Sequence, residues 1–437
     1  MRTRLPFRSQ FRPRASIMMR SLCSRIAVLS SLFIANDIAM AQTSICESDN
    51  CETNSDTGAK TCTFTTKVDL YAGELGYYTF DECTGTNPTI GMEVGVTYKF
   101  LQYDRSNYMH PLGFAYLPDG AHDDVDELEP TIDPPSATAK QAPCSASAGC
   151  PAPMYFQNGE YLGTYSNNAA LVNVTSGEDN FGLDDYEPKF LQPITQWVEH
   201  GEFMVALKFD DDDFDEDIFY FCHVHQYMTG RIKIISSSSG DVKNPLNIPP
   251  IPYAYDVVSE FDQSCGTFNL TDYQLPHAEC PDKFVCDVPE DNTALKSFSS
   301  CIEAMDCAMV VGMTNYVSAQ SEVALFIHQM IPHHQNAVNM AKALLKTGTL
   351  TCDDLLQESD DCAMEAILRD IVNGQNMQIQ AMRGVLESMN YPAEDDCKVT
   401  VLAIDEDETN GSTGKSTMVN NKLVLVATLM VTTLATL

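Results

Sequence analysis

The sequence predicts a multidomain chain, in which an all-β sandwich is followed by an all-α helical bundle. Before residue 236, short runs such as 96–100 and 203–207 alternate apolar with polar residues, and turn residues separate them. After about residue 293, apolar residues recur at helical spacing. Residues 236–253, between the two parts, are polar, rich in Pro and without periodicity, which predicts a linker.

The 437 residues divide into predicted parts with different compositions. In chain order these are a signal peptide at 1–41, the sandwich at 42–235 with an insertion at about 111–200, the linker at 236–253, a Cys-rich connector at 254–292, the helical domain at 293–397, and an acidic stalk with an anchor signal at 398–437. Within the helical domain we predict helices near 293–317, 320–346 and 362–389, with Gly348 and Pro392 as stops.

Both ends of the chain resemble processing signals. An Arg-rich start, the apolar run 26–35 and the sequence Ala39-Met40-Ala41 are typical of a secretory signal peptide, with a signal anchor as the alternative. At the other end, Asn410-Gly411-Ser412, a polar spacer and the apolar tail 423–437 are typical of a GPI-anchor signal. The tail is shorter than the roughly 20 residues of a spanning helix, which leaves a tail anchor as the alternative. We therefore expect a secreted protein on the outer surface of a membrane, held by a lipid anchor.

The composition limits the partners and the compartment. The chain has 26 Lys and Arg against 61 Asp and Glu, for a net charge of −35, which argues strongly against nucleic acid and anionic lipid surfaces as partners and favours cations. Sequons at Asn173, Asn269 and Asn410 predict a glycoprotein. The run 210–217 is strongly acidic, and we interpret it as a solvated loop, with the concentration of cations or loose calcium binding as the alternative.

The cysteine count predicts an unpaired thiol. After removal of the leader, seven cysteines precede residue 240 and eight follow it, in a chain that we expect to be oxidised and disulfide-bonded. At least one cysteine of the first half therefore has no partner within that half. Metal ligation is a reason for a thiol to stay reduced, although parity does not indicate which one it is.

The segment 218–234 is the first candidate metal site. An apolar strand ends at Cys222, a tight loop supplies His225 and Met228, and an alternating strand follows. A thiolate, two imidazoles and a weak thioether are the ligands of a blue-copper site. His110, which follows the strand at 96–103, is the candidate for the second imidazole. The alternative is that Cys222 is disulfide-bonded and that the histidines are ordinary loop residues.

The spacing Cys-x2-His-x2-Met, followed by x-Gly-Arg-Ile, resembles the cupredoxins of the short-loop, amicyanin-like and plastocyanin-like type. The resemblance covers roughly residues 65–110 and 200–236. It implies a Greek-key sandwich and a type 1 (blue) copper site made by His110, Cys222, His225 and Met228. Two features depart from the family: the gap between His110 and Cys222 is long, and His223 is an additional imidazole. Strand alternation points His223 away from Cys222 and predicts a position on the surface.

The second candidate metal site lies on the predicted helix at 320–346. Met330, His333 or His334, and Met340 recur at helical spacing, and imidazoles flanked by thioethers suit copper. Met305, Met309 and Met313 line up on the preceding helix. The alternative is that the methionines fill the core and that the histidines are polar residues at the edge of the bundle.

The sequence Met330-Ile331-Pro332-His333-His334 also resembles a ferritin-like family of unknown function, over about residues 293–390. Some members of that family bind copper, so the resemblance implies a helical copper module. Gln378 stands where the family often has Glu, which argues against a di-iron oxidase because such sites need Glu ligands.

Together these patterns predict a cell-surface copper protein that transfers electrons or handles copper, with copper ions and an unknown redox partner as its partners. No catalytic residue is predicted. Two alternatives stay open, a surface metallo-oxidase or reductase that uses both metal centres, and a structural adhesion module whose ligands are vestigial. The sequence does not determine the oligomeric state.

Overall fold

A computed structural model describes residues 45–122, 128, 153–164, 182–209, 216–286, 288–314 and 321–391. The predicted signal peptide and anchor signal lie outside these residues, as do the sequons at Asn173 and Asn410. The described residues belong to one compact unit, Ser44–Leu437.

The first part of the described chain is built from eleven β-strands. They are β1 (Cys51–Thr53), β2 (Lys60–Asp69), β3 (Tyr77–Phe80), β4 (Ile90–Glu93), β5 (Thr97–Gln102), β6 (Leu112–Ala115), β7 (Met154–Gln157), β8 (Glu160–Thr164), β9 (Phe203–Lys208), β10 (Ile218–Cys222) and β11 (Gly230–Ile235). One sheet has the order β1-β2-β5-β9-β7-β8, with β3 paired to β2, and the other has the order β4-β11-β10-β6. Two pairs are parallel, β2 with β5 and β4 with β11, and the other pairs are antiparallel.

The two sheets share one aromatic core. Phe100 of β5 meets Phe114 of β6 with ring centroids 5.1 Å apart, and Phe80 of β3 meets Tyr220 of β10 edge-on at 5.3 Å. Along β2, buried and partly buried residues alternate as the strand period requires. Burial of these large rings is a main source of the sandwich's stability.

The strand predictions agree with the observed elements. The runs 96–100 and 203–207 coincide with β5 and β9 to within two residues. The range predicted as an insertion, 111–200, contains β6, which pairs with β10, and also β7 and β8, which extend the other sheet beyond β9.

Six α-helices are described. They are α1 (Gly182–Phe190), α2 (Ile194–Glu199), α3 (Glu260–Cys265), α4 (Thr293–Thr314), α5 (Glu322–Lys346) and α6 (Asp360–Ser388). The last three match the predicted helices closely. Ser321 and Ser359 cap α5 and α6 by accepting hydrogen bonds from backbone N–H groups of the first turn. The predicted fold class, a β part followed by a helical part, is confirmed. No helix in the described ranges is both long and apolar enough to cross a membrane.

Five disulfides are described, and each joins cysteines from the same half of the chain. They are Cys46–Cys83, Cys51–Cys62, Cys265–Cys301, Cys280–Cys307 and Cys352–Cys362. Among the described cysteines, buried Cys222 and exposed Cys286 are free. The alternative in which Cys222 is disulfide-bonded is therefore wrong. Cys144, Cys150 and Cys397 lie outside the described residues.

The helical part packs directly on the sandwich through polar contacts, of which the one made by Lys342 is buried. Arg105 forms an ion pair with Glu365 of α6 at 3.0 Å, and Arg383 of α6 forms one with Glu74 at 2.9 Å. Lys342 of α5 is 1% exposed, and its Nζ donates to the backbone oxygen of Gly73 at 2.9 Å. These contacts bring α6 against the end of the sandwich that carries the predicted copper loop.

The predicted linker and the end of the acidic run are both tied to β11. Lys233 donates to the backbone oxygens of Asn244 and Leu246, which belong to the predicted linker. Asp217 is buried and accepts hydrogen bonds from Arg231 and Lys233. Interpreting the whole run 210–217 as a solvated loop is therefore wrong for Asp217, because two cations of β11 neutralise it inside the protein.

Candidate metal centre

Strand β10 and the two loops beside it bring three of the predicted ligands together. Cys222 is the last residue of β10, His225 follows in the loop to β11, and His110 lies just before β6, which pairs with β10. The ligand atoms of these three residues all lie within 4.8 Å of one another. Pairing of Cys222 with Leu112 in the sheet explains the proximity, because it places His110 beside the end of β10.

The distances in this group match those expected around a single metal ion. Sγ of Cys222 lies 3.7 Å from Nδ1 of His110 and 3.8 Å from Nδ1 of His225. Bonds of about 2.0 Å to nitrogen and about 2.3 Å to sulfur, as at zinc, give a separation of about 3.7 Å when the angle is about 120°. Both imidazoles therefore present the same nitrogen, Nδ1, at the distance from the thiol that a shared ion requires.

Burial sets the protonation of the group. The pKa of His225 is lowered to about 4, and that of His110 well below its usual value, chiefly because both imidazoles are removed from water. Both are therefore neutral at neutral pH and can act as ligands. Burial also raises the pKa of the Cys222 thiol to about 12, so that a bound cation has to displace its proton.

Met228, the predicted thioether ligand, lies on the same loop. Its side chain is fully buried, and it belongs to the core cluster that contains Cys222. Tyr227, immediately before it, has a left-handed backbone with φ 64°, and Met109, immediately before His110, has φ 60°. Strained backbone next to two candidate ligands is typical of a functional loop, since the surrounding structure has to hold it.

Hydrogen bonds from the sandwich hold the loop that carries His110. The backbone oxygen of His110 accepts from Nε2 of Gln102 at 2.7 Å and from the hydroxyl of Tyr78 at 3.1 Å. The amide oxygen of Gln102 accepts from the backbone N–H of Leu112 at 3.0 Å. Gln102 thus bridges the residues before and after Pro111 and fixes the position from which His110 projects.

A residue of the helical part also contacts the group. Nε2 of His225 lies 3.2 Å from the backbone oxygen of Asn373 in α6. The side chain of Asn373 donates to the backbone oxygen of Tyr108 at 2.8 Å, two residues before His110. No local sequence pattern signals this contact or the role of Gln102, because both depend on tertiary packing.

His223 lies outside the three-residue group, although it follows Cys222 directly. Its ring contacts that of Phe221 with centroids 4.9 Å apart, and it covers Gly113 of β6. The ring is half-buried, so the predicted surface position is wrong; the lack of a side chain at Gly113 makes room for it against the sheet.

The predicted helical ligands all lie on α5, but their surroundings differ. Nδ1 of His334 lies 3.0 Å from the backbone oxygen of Met330, and its Nε2 lies 3.0 Å from Oε1 of Gln378 on α6. His333 and Met340 are exposed. The rings of His333 and His334 have centroids 6.1 Å apart. Both nitrogens of His334 therefore have oxygen neighbours from the protein itself.

A second described cluster of potential ligands contains His277, Cys280 and Cys307. Cys280 and Cys307 are bonded to each other as a disulfide, so their sulfurs do not supply thiolates. In the described ranges, no group of three or more His, Cys, Asp or Glu residues whose ligand atoms lie within 4.8 Å of one another includes His333 or His334. The group at Cys222 is thus the one described cluster that offers a free thiol together with two imidazoles.

A cavity of about 260 Å³ lies between α4, α5 and the segment around residue 270. Met305, Met309 and His328 are among the residues that line it. Nδ2 of Asn336 lies 3.2 Å from Sδ of Met309, at the same cavity. Met305 and Met309, two of the three methionines that line up in the sequence, therefore line this cavity, whereas Met313 is exposed.

Comparisons with known proteins match parts of the chain. Residues 300–386 and 324–424 match a family described as a domain of unknown function (DUF305). No curated protein matches the chain. A solved structure of a histidine-to-methionine variant of rusticyanin aligns at 11% identity, over 43% of this chain and 87% of that chain, with a TM-score of 0.18. That superposition is too poor to establish a common fold.

The match to the family of unknown function includes most of α4 and all of α5 and α6. It agrees with the resemblance inferred from the sequence, whereas the ferritin-like fold stays a prediction.

Proposed function

We propose that this chain is a copper protein that transfers electrons or handles copper at the cell surface, through a type 1 site. The supporting observation is the buried group of His110, Cys222 and His225, in which one thiol faces two Nδ1 atoms at 3.7 and 3.8 Å. Thiolate and imidazole ligands with a weak axial thioether are the donor set of blue copper. Met228 would supply that thioether.

The surroundings of the group favour electron transfer over turnover of a bound organic substrate. All four proposed ligands are fully buried, so that a metal ion held by them would be shielded from solvent. Copper bound there would supply a one-electron couple, Cu(I)/Cu(II). Strands β10 and β11 and the Gln102 contacts hold the ligands in one arrangement, which limits the rearrangement that accompanies a change of oxidation state.

The cellular setting of the proposal depends on the sequence alone. A secretory leader, a GPI-type anchor signal and sequons would place the chain, glycosylated, on the outer face of a membrane. Five disulfides in the described part are compatible with an oxidising compartment.

The second part of the proposal is a copper-binding role for the helices, through Met330, His333, His334 and Met340. Its support is the sequence pattern and the exposure of His333, which leaves that imidazole accessible to an incoming ion. The test is the copper stoichiometry of the chain: we expect His333→Ala to lose one weakly held ion while the site at Cys222 stays loaded. A stoichiometry equal to that of the unmodified chain would contradict a role for His333.

A surface metallo-oxidase or reductase is the second candidate. The observation that favours it is the contact between His225 and Asn373, because it joins the proposed copper site to the helical part. This candidate predicts turnover of a metal ion or a phenol that disappears in Cys222→Ser and, separately, in His333→Ala. Turnover that persists in His333→Ala would contradict this candidate, and electron transfer or copper handling would then be the one remaining function.

The principal test uses residues 42–410, secreted and loaded with Cu(II), with Cys222→Ser as the variant and Cys286→Ser as the control. Cys286 is also free but is exposed, so its loss removes a thiol without touching the proposed site. We expect an intense thiolate-to-copper absorption band and narrow copper hyperfine splitting in the unmodified chain and in Cys286→Ser, and neither in Cys222→Ser. A colourless protein without stoichiometric copper would overturn the proposal and favour the adhesion module.

A further inference from the structure

Helix α6 forms one wall of the proposed copper site. Its residue Asn373 is 2% exposed, although it belongs to the helical part of the chain. The imidazole edge of His225 that points away from Cys222 meets the backbone of α6, where Nε2 lies 3.2 Å from the Asn373 oxygen. His225 is 0% exposed in consequence.

The side chain of Asn373 faces the other imidazole. Its Nδ2 donates to the backbone oxygen of Tyr108 at 2.8 Å, which fixes the orientation of the amide. Its Oδ1 and Nε2 of His110 are both buried, and neither has a hydrogen-bond partner among the described residues. Burial lowers the pKa of His110, and the side chain of Asn373 acts on it in the opposite direction, which places the amide close to this ring.

Two further contacts hold α6 in this position. The backbone N–H of Gln226, next to His225, lies 3.3 Å from Oε1 of Gln380, two turns along the helix from Asn373. Arg383, one turn further, is paired with Glu74 of the sandwich. The register of α6 against the loop is therefore set on the same side of the helix that carries Asn373.

We propose that Asn373 is a positioning residue for both imidazoles of the metal site, and that α6 closes that site on the side of His225. The inference rests on the proposed function, since it assigns a hydrogen-bond partner to the second nitrogen of each imidazole that is proposed to bind copper. A metal-bound imidazole is oriented by the partner of its other nitrogen. One asparagine, through its backbone oxygen and its amide, would orient both at once.

The consequence is that the helical part controls access to the site. A copper ion would enter or leave only when α6 moves away from the loop. Electrons would pass the His225 edge through α6, and not through a partner docked directly on that edge of the imidazole. The two parts of the chain would then form one functional unit.

The test compares Asn373→Ala with Asn376→Ala in the copper-loaded chain. Asn376 is the matched control, because it lies one turn away on α6 and is equally buried at 2% exposure. We expect Asn373→Ala to keep one copper and its thiolate band, but to widen the hyperfine splitting and to release copper to a chelator about 10–100-fold faster. Asn376→Ala should match the unmodified chain in both measurements.

A second variant covers the case in which Asn373→Ala does not fold. Asn373→Asp keeps an oxygen beside His110, and its negative charge makes the His110 imidazole more basic. A more basic ligand stabilises Cu(II), so the reduction potential of the site should fall. If Asn373→Asp, alone or together with Asn373→Ala, matches Asn376→Ala in hyperfine splitting, copper release and reduction potential, the positioning role is overturned while the copper site stands. If the unmodified chain lacks the thiolate band, the proposed function itself has failed.

Discussion

The carboxylate of Asp217 lies between two cations inside the sandwich. It is 1% exposed and accepts from Arg231 and, at 2.7 Å, from Nζ of Lys233. Removal of one member of a buried ion pair leaves an uncompensated charge, at a cost of about 3–5 kcal/mol. We therefore expect Asp217→Asn to lower the free energy of unfolding by about 3 kcal/mol, measured by denaturant titration.

The control for this prediction is an ion pair on the surface. Asp81 pairs with Lys67 at 2.7 Å, and their side chains are 49% and 37% exposed. Exposed pairs contribute little because water screens them, so Asp81→Asn should change the free energy of unfolding by less than about 1 kcal/mol. Equal losses in the two variants would show that burial is not what makes the Asp217 contacts strong.

Gly113 makes room for the ring of His223 on β6. A Cβ atom at this position would lie 2.1 Å from Nε2 of His223, well inside van der Waals contact. Overpacking of this kind costs about 1–3 kcal/mol, which is the loss of stability that we expect for Gly113→Ala. The second change, His223→Ala, should recover most of that loss in a double-mutant cycle based on thermal unfolding. Additive effects of the two changes would mean that the clash lies elsewhere.

At the scale of the elements, the contact of α5 with the sandwich depends on a buried ammonium. Burial lowers the pKa of Lys342 from 10.5 to about 8. Between these values the unfolded chain binds a proton that the folded chain has lost, so stability rises as the pH rises through this window. Relative to Lys342→Met, the unmodified chain should gain up to about 3 kcal/mol in free energy of unfolding between pH 8 and 10.5. Parallel stability curves for the two proteins would contradict this.

Elements whose signal is local were predictable from the sequence. Cys222, His225 and Met228 lie within seven residues between two strands, and the helices at 322–346 and 360–388 have strong periodicity. The site also depends on Asn373, whose contact with His225 spans 148 positions and exists only because α6 docks on the sandwich. No local pattern encodes such a contact.

Asp217 was misinterpreted for a related reason. Its neighbours in sequence are acidic, so composition indicates a solvated loop, whereas its partners lie 14 and 16 positions away on β11. A usable signal was present, since Arg231 and Lys233 are two positions apart and so project from the same face of β11. Two cations on one face of an otherwise apolar strand indicate a buried acidic partner.

For the whole molecule, the contacts between the two parts couple helix stability to the metal site. Arg105, Arg383 and Lys342 join sandwich and helices by direct polar contacts, and Asn373 touches the proposed ligands. A ligand that binds only the folded chain stabilises it by about 2.7 kcal/mol at 100 times its Kd. Copper at Cys222 should therefore stabilise α6 as well as the strands.

Hydrogen exchange measures that coupling directly. On addition of one equivalent of Cu(II), we expect slower amide exchange in β10, in the loop 223–229 and in α6 around Asn373, because the helix has to leave the loop before the site can open. The second turn of α4, which does not touch the site, serves as the internal reference. The same experiment on Cys222→Ser should show no slowing in α6. Slowing confined to the strands and the loop would mean that the helices are bystanders, and the two parts of the chain would then function independently.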